Sequence, residues 1–278
     1  MDLRFLVILI ILLALSCDQK KLEVANKPVK SQMNLSYGKD PFQKFDIYIP
    51  EHVSGSARTF IFIHGGGWRG GERGSMTGFM LELMEKFPDD VFITMDYTLA
   101  DFSNYVLPKQ TDDIHELITF LQKNPDKYPV PSDIILAGYS AGGHLAALYG
   151  YKYQNEAVSA VVNIAGPVDL TDFNFQRYPD YAFVESRMVD RRQLPADIAA
   201  VEFASPVTWM KGNALKIISF FGEKDDVIPL SQKEKLDNLI EHGKVSGKSF
   251  SYPGNHHNWI EEPHRGFIIS EITKFLCE

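Results

Sequence analysis

The sequence predicts an α/β fold in which a mostly parallel central sheet is covered by helices on both faces. Short apolar runs, typical of buried strands, alternate along the chain with segments of helical spacing, and most connections between them are short. The chain has 278 residues, of which 45% are hydrophobic. This length suits one large domain, since α/β folds reach about 250 residues around a single sheet.

The strand pattern begins near residue 43. Residues 43–50 alternate Phe45, Ile47 and Ile49 with polar residues, as a half-buried outer strand does. The runs 59–63 and 91–95 are more continuously apolar, which is typical of strands covered on both faces. The other predicted strands are 134–137, 158–165, 216–221 and 249–252.

Helices are predicted between these strands. Residues 110–122 carry an apolar stripe at the i, i+3, i+4 and i+7 spacing of an amphipathic helix: Ile114, Leu117, Ile118 and Leu121. The other predicted helices are 76–87, one that includes 145–148, 232–241 and 266–277. In such alternating folds the reactive groups lie at the C-terminal ends of the strands.

The motif Gly138-Tyr139-Ser140-Ala141-Gly142 lies between a predicted strand and a predicted helix. In a sharp strand-to-helix turn the serine hydroxyl is exposed, and the next amide lies at the helix N-terminus, where negative charge is stabilised. GxSxG alone is also compatible with a turn of small residues. The context favours a nucleophilic serine, because His64-Gly65-Gly66-Gly67-Trp68 follows another strand and can supply more backbone donors.

With these motifs the chain resembles the α/β-hydrolase superfamily, in particular its HGGGW-bearing esterases. This group includes bacterial carboxylesterase-like and feruloyl-esterase-like enzymes and the related arylformamidases. The Asp96-Tyr97 pair, the Pro108-x-Gln110-x-x-Asp113 segment, Ser140 and a late Asp and His occur in the family's order. The resemblance implies the α/β-hydrolase fold over 34–278, with Ser140 as the nucleophile of a catalytic triad.

The acid of the triad is assigned by the same resemblance. Residues 222–229 match the family's G-x-x-D-x-x-V/I-P loop, and the match places the acid on Asp225. Asp226 is one residue out of register and is interpreted as a solvated loop carboxylate. Asp169 remains an alternative, because some lipases carry the acid after the preceding strand.

Two adjacent histidines follow the last strand. The family's P-G-x-x-H spacing selects His257 as the general base, which leaves His256 as a loop neighbour or a wall of the pocket. His64 belongs to the glycine motif and His144 to the helix after the serine, so both are interpreted as structural hydrogen-bonding groups.

The glycine motif is expected to stabilise the oxyanion. By resemblance, the amides of Gly66 and Gly67 join that of Ala141 in an oxyanion hole, while Trp68 is either a pocket wall or a core aromatic. The chemistry requires no cofactor. A metal site among the late histidines and glutamates is not expected, since the sequence there has neither a HExxH pattern nor a cysteine ligand.

Residues 167–206, which we call the cap segment, have no strand pattern but many aromatic and charged side chains. In related hydrolases the insertion at this place forms a cap over the active site, where selectivity for the acyl or alcohol group would reside. The alternative is a surface excursion that does not contact the substrate.

The N-terminal residues 1–17 are interpreted as an export signal of the lipoprotein type. The apolar run 5–15 is too short to span a bilayer, and Ala14-Leu15-Ser16-Cys17 resembles a lipoprotein cleavage box, with Cys17 as the lipidated residue. An ordinary cleaved signal or an uncleaved anchor are the alternatives. Residues 18–33 are predicted to be a flexible tether to the membrane.

The sequence thus favours an exported serine hydrolase that cleaves carboxylic esters, either small molecules or carbohydrate-linked. An arylformamidase or small amidase would use the same triad, and a non-catalytic binding module on the same scaffold is the third alternative. The net charge of −8 and the lack of a Lys/Arg cluster argue against a nucleic-acid partner.

Overall fold

The structure, a computed structural model, describes residues 21–24, 27–212 and 214–278. Within these ranges the chain forms a nine-stranded sheet with a hydrophobic core on each face. The predicted signal 1–17, with Cys17, lies outside the described residues. No helix in the described part of the chain is long and apolar enough to cross a bilayer.

The strands follow one another in the sheet in the order β1-β2-β3-β5-β4-β6-β7-β8-β9. The pairs from β5 to β9 are parallel, and those that join β1, β2, β3 and β5 are antiparallel. Their bounds are β1 Lys21–Val24, β2 Lys27–Ser36, β3 Lys44–Pro50, β4 Thr59–Ile63, β5 Val91–Met95, β6 Ile134–Tyr139, β7 Val158–Ile164, β8 Lys216–Gly222 and β9 Ser246–Tyr252.

Helices cover both faces, as predicted. One face carries α1 (Thr77–Met84) and α8 (His264–Cys277), and the other carries α2 (Lys109–Lys123), α3 (Ala141–Tyr153) and α7 (Ser231–Glu241). Strand β4 shows why both faces are buried. Phe60 and Phe62 enter one core, whereas Ile61 and Ile63 enter the other, because successive side chains of a strand point to opposite faces.

The central strands position the two glycine-containing motifs. Strand β6 lies between β4 and β7, and Ile63, the last residue of β4, pairs with Gly138 of β6. The HGGGW motif begins immediately after Ile63, and the serine motif begins at Gly138 itself. The sheet register therefore places both motifs side by side at the C-terminal edge.

The tether predicted for 18–33 is wrong where the structure describes it. Strands β1 and β2 occupy most of this range, and β2 pairs antiparallel with β3. The prediction failed because the inward positions of β2 include the polar Ser31 as well as Val29, with 6% and 2% exposure. A strand with so few apolar inward residues lacks the alternation by which an outer strand is found.

The cap segment, all of which is described, contains no strand and only short helical elements. Its α-helices are α4 (Tyr181–Arg187) and α5 (Ala200–Phe203), and α6 (Pro206–Trp209) begins at its end. Phe175, Val184 and Met188 are buried in the core beside the sheet. The segment is therefore an integral part of the domain.

Candidate active site

Ser140 occupies a strained turn between β6 and α3. Its φ of 53° and ψ of −120° are sparsely populated for a residue with a side chain. The flanking glycines make the turn possible. A Cβ atom at position 142 would lie 2.0 Å from the carbonyl oxygen of Ile63, and one at position 138 would lie 2.3 Å from the backbone of Gly142. The GxSxG spacing thus reflects close backbone packing around the serine, which is itself only 9% exposed.

Ser140 belongs to a hydrogen-bonded chain of three side chains. Its Oγ lies 3.0 Å from Nε2 of His256. The Nδ1 atom of the same ring lies 2.8 Å from Oδ2 of Asp225. This is the arrangement in which a histidine removes a proton from a serine while a carboxylate orients the ring.

The histidine that is hydrogen-bonded to Ser140 and Asp225 is His256, so the prediction of His257 as the general base is wrong. Strand β9 ends at Tyr252, and the amide of Lys224 donates to the carbonyl of Gly254 at 2.9 Å, which holds the loop beside Asp225. With the loop held in this way, the ring of His256 contacts Ser140, whereas the ring of His257 does not. His257 is exposed, with Nδ1 3.0 Å from the hydroxyl of Tyr139.

The structure brings Asp225, and neither alternative carboxylate, to the histidine. Its side chain is fully buried, and Oδ1 accepts from the amides of Val227 and Ile228 at 2.8 and 2.7 Å. This leaves Oδ2 for His256. Asp226 is exposed, whereas Asp169 pairs with Lys235 at 3.1 Å.

Three backbone amides lie next to the serine and are not used elsewhere. Gly66 and Gly67 have positive φ angles of 116° and 59°, and Ala141 is the first residue of α3. Among the described residues, no hydrogen bond uses the amide of Gly66, Gly67 or Ala141. Amides at such a turn and helix N-terminus can stabilise an oxyanion.

Trp68 is both a core residue and a wall of the cleft. It is 3% exposed, and its backbone oxygen accepts from Nε2 of Gln110 at 2.8 Å and from the amide of Ala100 at 2.9 Å. Its indole N–H donates to Nδ1 of His144 at 3.2 Å. Gln110, from the Pro108-x-Gln110 segment, therefore anchors the end of the glycine loop.

His144 and His64 are buried structural groups, in agreement with their interpretation from the sequence. Because Nδ1 of His144 accepts from Trp68, its Nε2 carries the proton and donates to the carbonyl of Ala204 at 2.8 Å. Burial lowers the pKa of His144 from 6.5 to about 4. Burial also lowers the pKa of His64, whose ring stacks on Tyr97 with centroids 4.2 Å apart.

The depressed pKa of His144 makes the protein less stable in mild acid. The stability that the neutral His144 ring contributes is fully present above pH 6.5. It is lost as the pH falls toward 4, since in that range the unfolded chain binds a proton at this site and the folded protein does not. Between pH 8 and pH 5 this group should remove about 2 kcal/mol of the free energy of unfolding. Urea unfolding of the wild type and of His144→Gln at both pH values checks this expectation, and an equal loss in the two proteins would contradict it.

Ser140 opens onto a cleft of about 230 Å³. The cap segment contributes Pro167, Phe175 and Tyr178 to its walls, and the last two are among the aromatic side chains by which the sequence marks this segment. Tyr139, Val227 and Ile228 also line the cleft and are not predicted from the sequence as walls. The rings of Phe175 and Tyr178 are stacked with centroids 5.8 Å apart. Tyr139 could have been suspected, since it stands next to Ser140. The cap aromatics could not be ranked without the fold.

The late histidine and glutamate cluster does not form a metal site. No group of three or more His, Cys, Asp or Glu side chains is arranged to hold a metal ion within residues 21–24, 27–212 and 214–278.

Comparisons with known proteins agree with this fold. The BD-FAE family profile matches residues 45–240. Esterase LipC of Mycobacterium tuberculosis is 30% identical over 259 residues, which cover 86% of this chain and 63% of LipC. The chain thus spans less than two thirds of the length of that relative.

A second relative is kynurenine formamidase of Meyerozyma guilliermondii, which is 34% identical over 126 residues, or 45% of each chain. Esterase B from Lactobacillus rhamnosis superposes with a TM-score of 0.73 at 20% identity, over 92% of this chain and 87% of that structure. At 20% identity the superposition shows a shared fold and nothing further. The chain belongs to the BD-FAE family and has the α/β-hydrolase fold.

Proposed function

We propose that this protein is a serine hydrolase that cleaves carboxylic esters through an acyl-enzyme intermediate. The observation that carries the proposal is the chain from Ser140 through His256 to Asp225, which opens onto a cleft beside three unused amides. The esterase relatives support it.

In the first step His256 Nε2 takes the proton of Ser140 as Oγ attacks the ester carbonyl. The carbonyl oxygen gains negative charge, which the amides of Gly66, Gly67 and Ala141 stabilise. Asp225 holds the ring with Nδ1–H toward itself and stabilises the imidazolium that forms. His256 then gives its proton to the alcohol oxygen, the C–O bond breaks, and the acyl group remains on Ser140.

In the second step water takes the place of the alcohol. His256 removes a proton from the water as it attacks the acyl carbonyl, and the same amides stabilise the second oxyanion. The proton returns to Ser140 as the carboxylic acid leaves.

The size of the cleft favours short acyl groups. Since a cavity of about 150 Å³ accommodates benzene, a cleft of this size holds roughly nine non-hydrogen atoms. The stacked Phe175 and Tyr178, with Val227 and Ile228 from the Asp225 loop, give it apolar walls. An octanoyl group would fill the cleft by itself, whereas an acetyl group leaves room for the alcohol.

The test is hydrolysis of p-nitrophenyl esters from acetate to octanoate. We expect kcat/KM to fall by at least tenfold across this series, and Ser140→Ala to abolish activity on every ester. Ser54→Ala, which changes an exposed loop serine far from β6 in sequence, is the matched control and should remain active. A folded wild type without activity on any ester would favour the formamidase or the binding-module alternative.

Formamide cleavage is a second candidate function, because one relative is a kynurenine formamidase. Its mechanism would use the same three side chains, with an amine as the leaving group. Formanilide and phenyl acetate, compared at equal concentration, separate the two. A higher kcat/KM for formanilide would reassign the protein to this class.

We also propose that the protein is exported and held at a membrane through a lipid on Cys17. The support is the apolar run 5–15 followed by Ser16-Cys17. Metabolic labelling with an alkyne fatty acid should tag the full chain and not the Cys17→Ser variant. Equal labelling of the two proteins, or none, would overturn this proposal. An exported esterase would meet ester-bearing polysaccharides.

A further inference from the structure

Arg69 links the glycine loop to the cap segment. It follows directly after the HGGGW motif, and its amide donates to the carbonyl of Gly66 at 3.2 Å, so it belongs to the turn that carries the proposed oxyanion donors. Its guanidinium forms an ion pair with the carboxylate of Asp180 in the cap segment. The same guanidinium lies over the ring of Phe183, with Cζ 4.4 Å from the ring centroid. One side chain of the loop therefore makes two contacts with the cap segment.

Asp180 lies beside a wall of the cleft. Tyr178, two residues earlier, is one of the side chains that line it. Burial and then the nearby charge of Asp180 raise the pKa of Tyr178, whereas the charge of Arg69 lowers it, so both charged groups lie close to this hydroxyl. A Cβ atom at Gly67 would lie 3.9 Å from the same hydroxyl, which is an ordinary contact distance. The hydroxyl of Tyr178 is thus close to the glycine loop as well as to the charged pair.

This part of the cap segment is joined to the glycine loop mainly through the ion pair. Residues 176–180 are exposed except for Tyr178, which is half-buried. They lie between two anchors, the buried ring of Phe175 and the hydroxyl of Tyr181, which donates to the carbonyl of Leu170 at 2.9 Å. Among the hydrogen bonds of the described residues, those of 176–180 stay within the cap segment except for the one with the guanidinium. The distance of this stretch from the glycine loop determines the width of the cleft between them.

We propose that the ion pair of Arg69 and Asp180 sets the upper size limit of the esters that fit the cleft, and that both are specificity-determining residues. The pair holds the Tyr178 wall against the glycine loop, which keeps the cleft at about 230 Å³. When the pair is broken, the wall moves outward and longer esters gain room, while Ser140 keeps its place at the end of β6. This inference rests on the proposed esterase function and names the residues that limit the size of its substrates.

The test is the ratio of kcat/KM for p-nitrophenyl octanoate to that for p-nitrophenyl acetate, measured in the wild type, Arg69→Gln, Asp180→Asn and the double variant. The two side chains are 39% and 51% exposed, and the net effect of such an ion pair is a factor of about two to five. We expect the ratio to rise by this factor in each single variant, chiefly through the KM for octanoate. It should rise no further in the double variant, because either substitution already breaks the pair. Asp180→Glu, which keeps the carboxylate, should retain most of the wild-type ratio.

Two controls separate the ion pair from a general change of charge. Arg192→Gln makes the same substitution at a cap arginine that pairs with Asp190 and is 84% exposed, and it should leave the ratio unchanged. Raising the NaCl concentration from about 0.05 to about 1 M should raise the ratio of the wild type relative to that of Arg69→Gln, since salt screens exposed charges. Any effect of salt on the esters themselves cancels in this comparison.

An unchanged ratio in both single variants, with acetate still hydrolysed, would overturn the proposal. A common fall in kcat for both esters would also overturn it, since Arg69 would then act on the oxyanion donors and not on the size of the cleft. Single effects that add in the double variant would show that the two residues act separately, which contradicts a limit set by the pair. A wild type that hydrolyses neither ester would overturn the esterase proposal itself, and this inference with it.

Discussion

Replacing His256 with alanine is expected to lower kcat/KM for p-nitrophenyl acetate by about 10⁴-fold or more. Without the imidazole nothing accepts the Ser140 proton, and Asp225 loses the group it orients. Replacing His257 should have an effect about a thousandfold smaller on this ester, since its ring contacts neither Ser140 nor Asp225 in the structure. The kcat and kcat/KM values of both variants are obtained from initial rates at saturating and at low substrate concentration.

The adjacent histidines form a matched pair, because the two variants remove the same side chain from one loop. Circular dichroism and thermal unfolding show whether each variant is folded. If His257→Ala were the inactive variant and His256→Ala the active one, the loop would have the opposite orientation in solution. Losses of equal size would show that the loop, and not one ring, is required.

Replacing Gly66 with alanine is expected to lower kcat by about 10²- to 10³-fold, the effect of losing one oxyanion donor. The φ of Gly66 is 116°, which residues with a side chain rarely adopt, and a Cβ there would lie 2.2 Å from the oxygen of Gly70. The turn must therefore change its path, and its amides then move away from the carbonyl of the substrate. Single-turnover rates of acylation report this step directly.

The control for this variant is Gly78→Ala. Gly78 lies in α1, where an added Cβ meets no atom within 4 Å, and alanine favours a helix. This variant should keep wild-type turnover and unfold at the same or a higher temperature. Wild-type turnover in Gly66→Ala would contradict the assignment of its amide to the oxyanion hole.

Much of the fold was predictable because the buried parallel strands carry predominantly apolar runs. Strands β4 and β5 have the predicted bounds, Thr59–Ile63 and Val91–Met95, since both faces of these strands are buried and all their side chains except Thr59 and Thr94 are apolar. Strand β2 was missed because it lies near the edge of the sheet, where Ser31 can face inward. A strand that is buried on both faces is therefore easier to recognise from its sequence than a strand near the edge of the sheet.

The site was predictable where a motif imposes its own geometry. The glycines at 138 and 142 leave no room for a side chain, so the position of Ser140 is set by local packing. The loop after β9 has no such constraint in its sequence. His256 and His257 are chemically identical candidates, and the choice depends on contacts with Asp225 and Tyr139 that come from distant strands.

The pairing of Ile63 with Gly138 means that the serine and the oxyanion-hole loop are positioned by the sheet, separately from the cap residues that line the cleft. The serine turn and the glycine loop are held side by side by the ladder of hydrogen bonds between β4 and β6, in the middle of the sheet, whereas the cap residues Phe175 and Tyr178 come from a segment without strands. Substitutions in that segment can reshape the cleft while the distance from nucleophile to oxyanion donors stays the same. Under the proposed esterase function, substitutions in the cap can therefore change which esters fit the cleft without changing the catalytic groups.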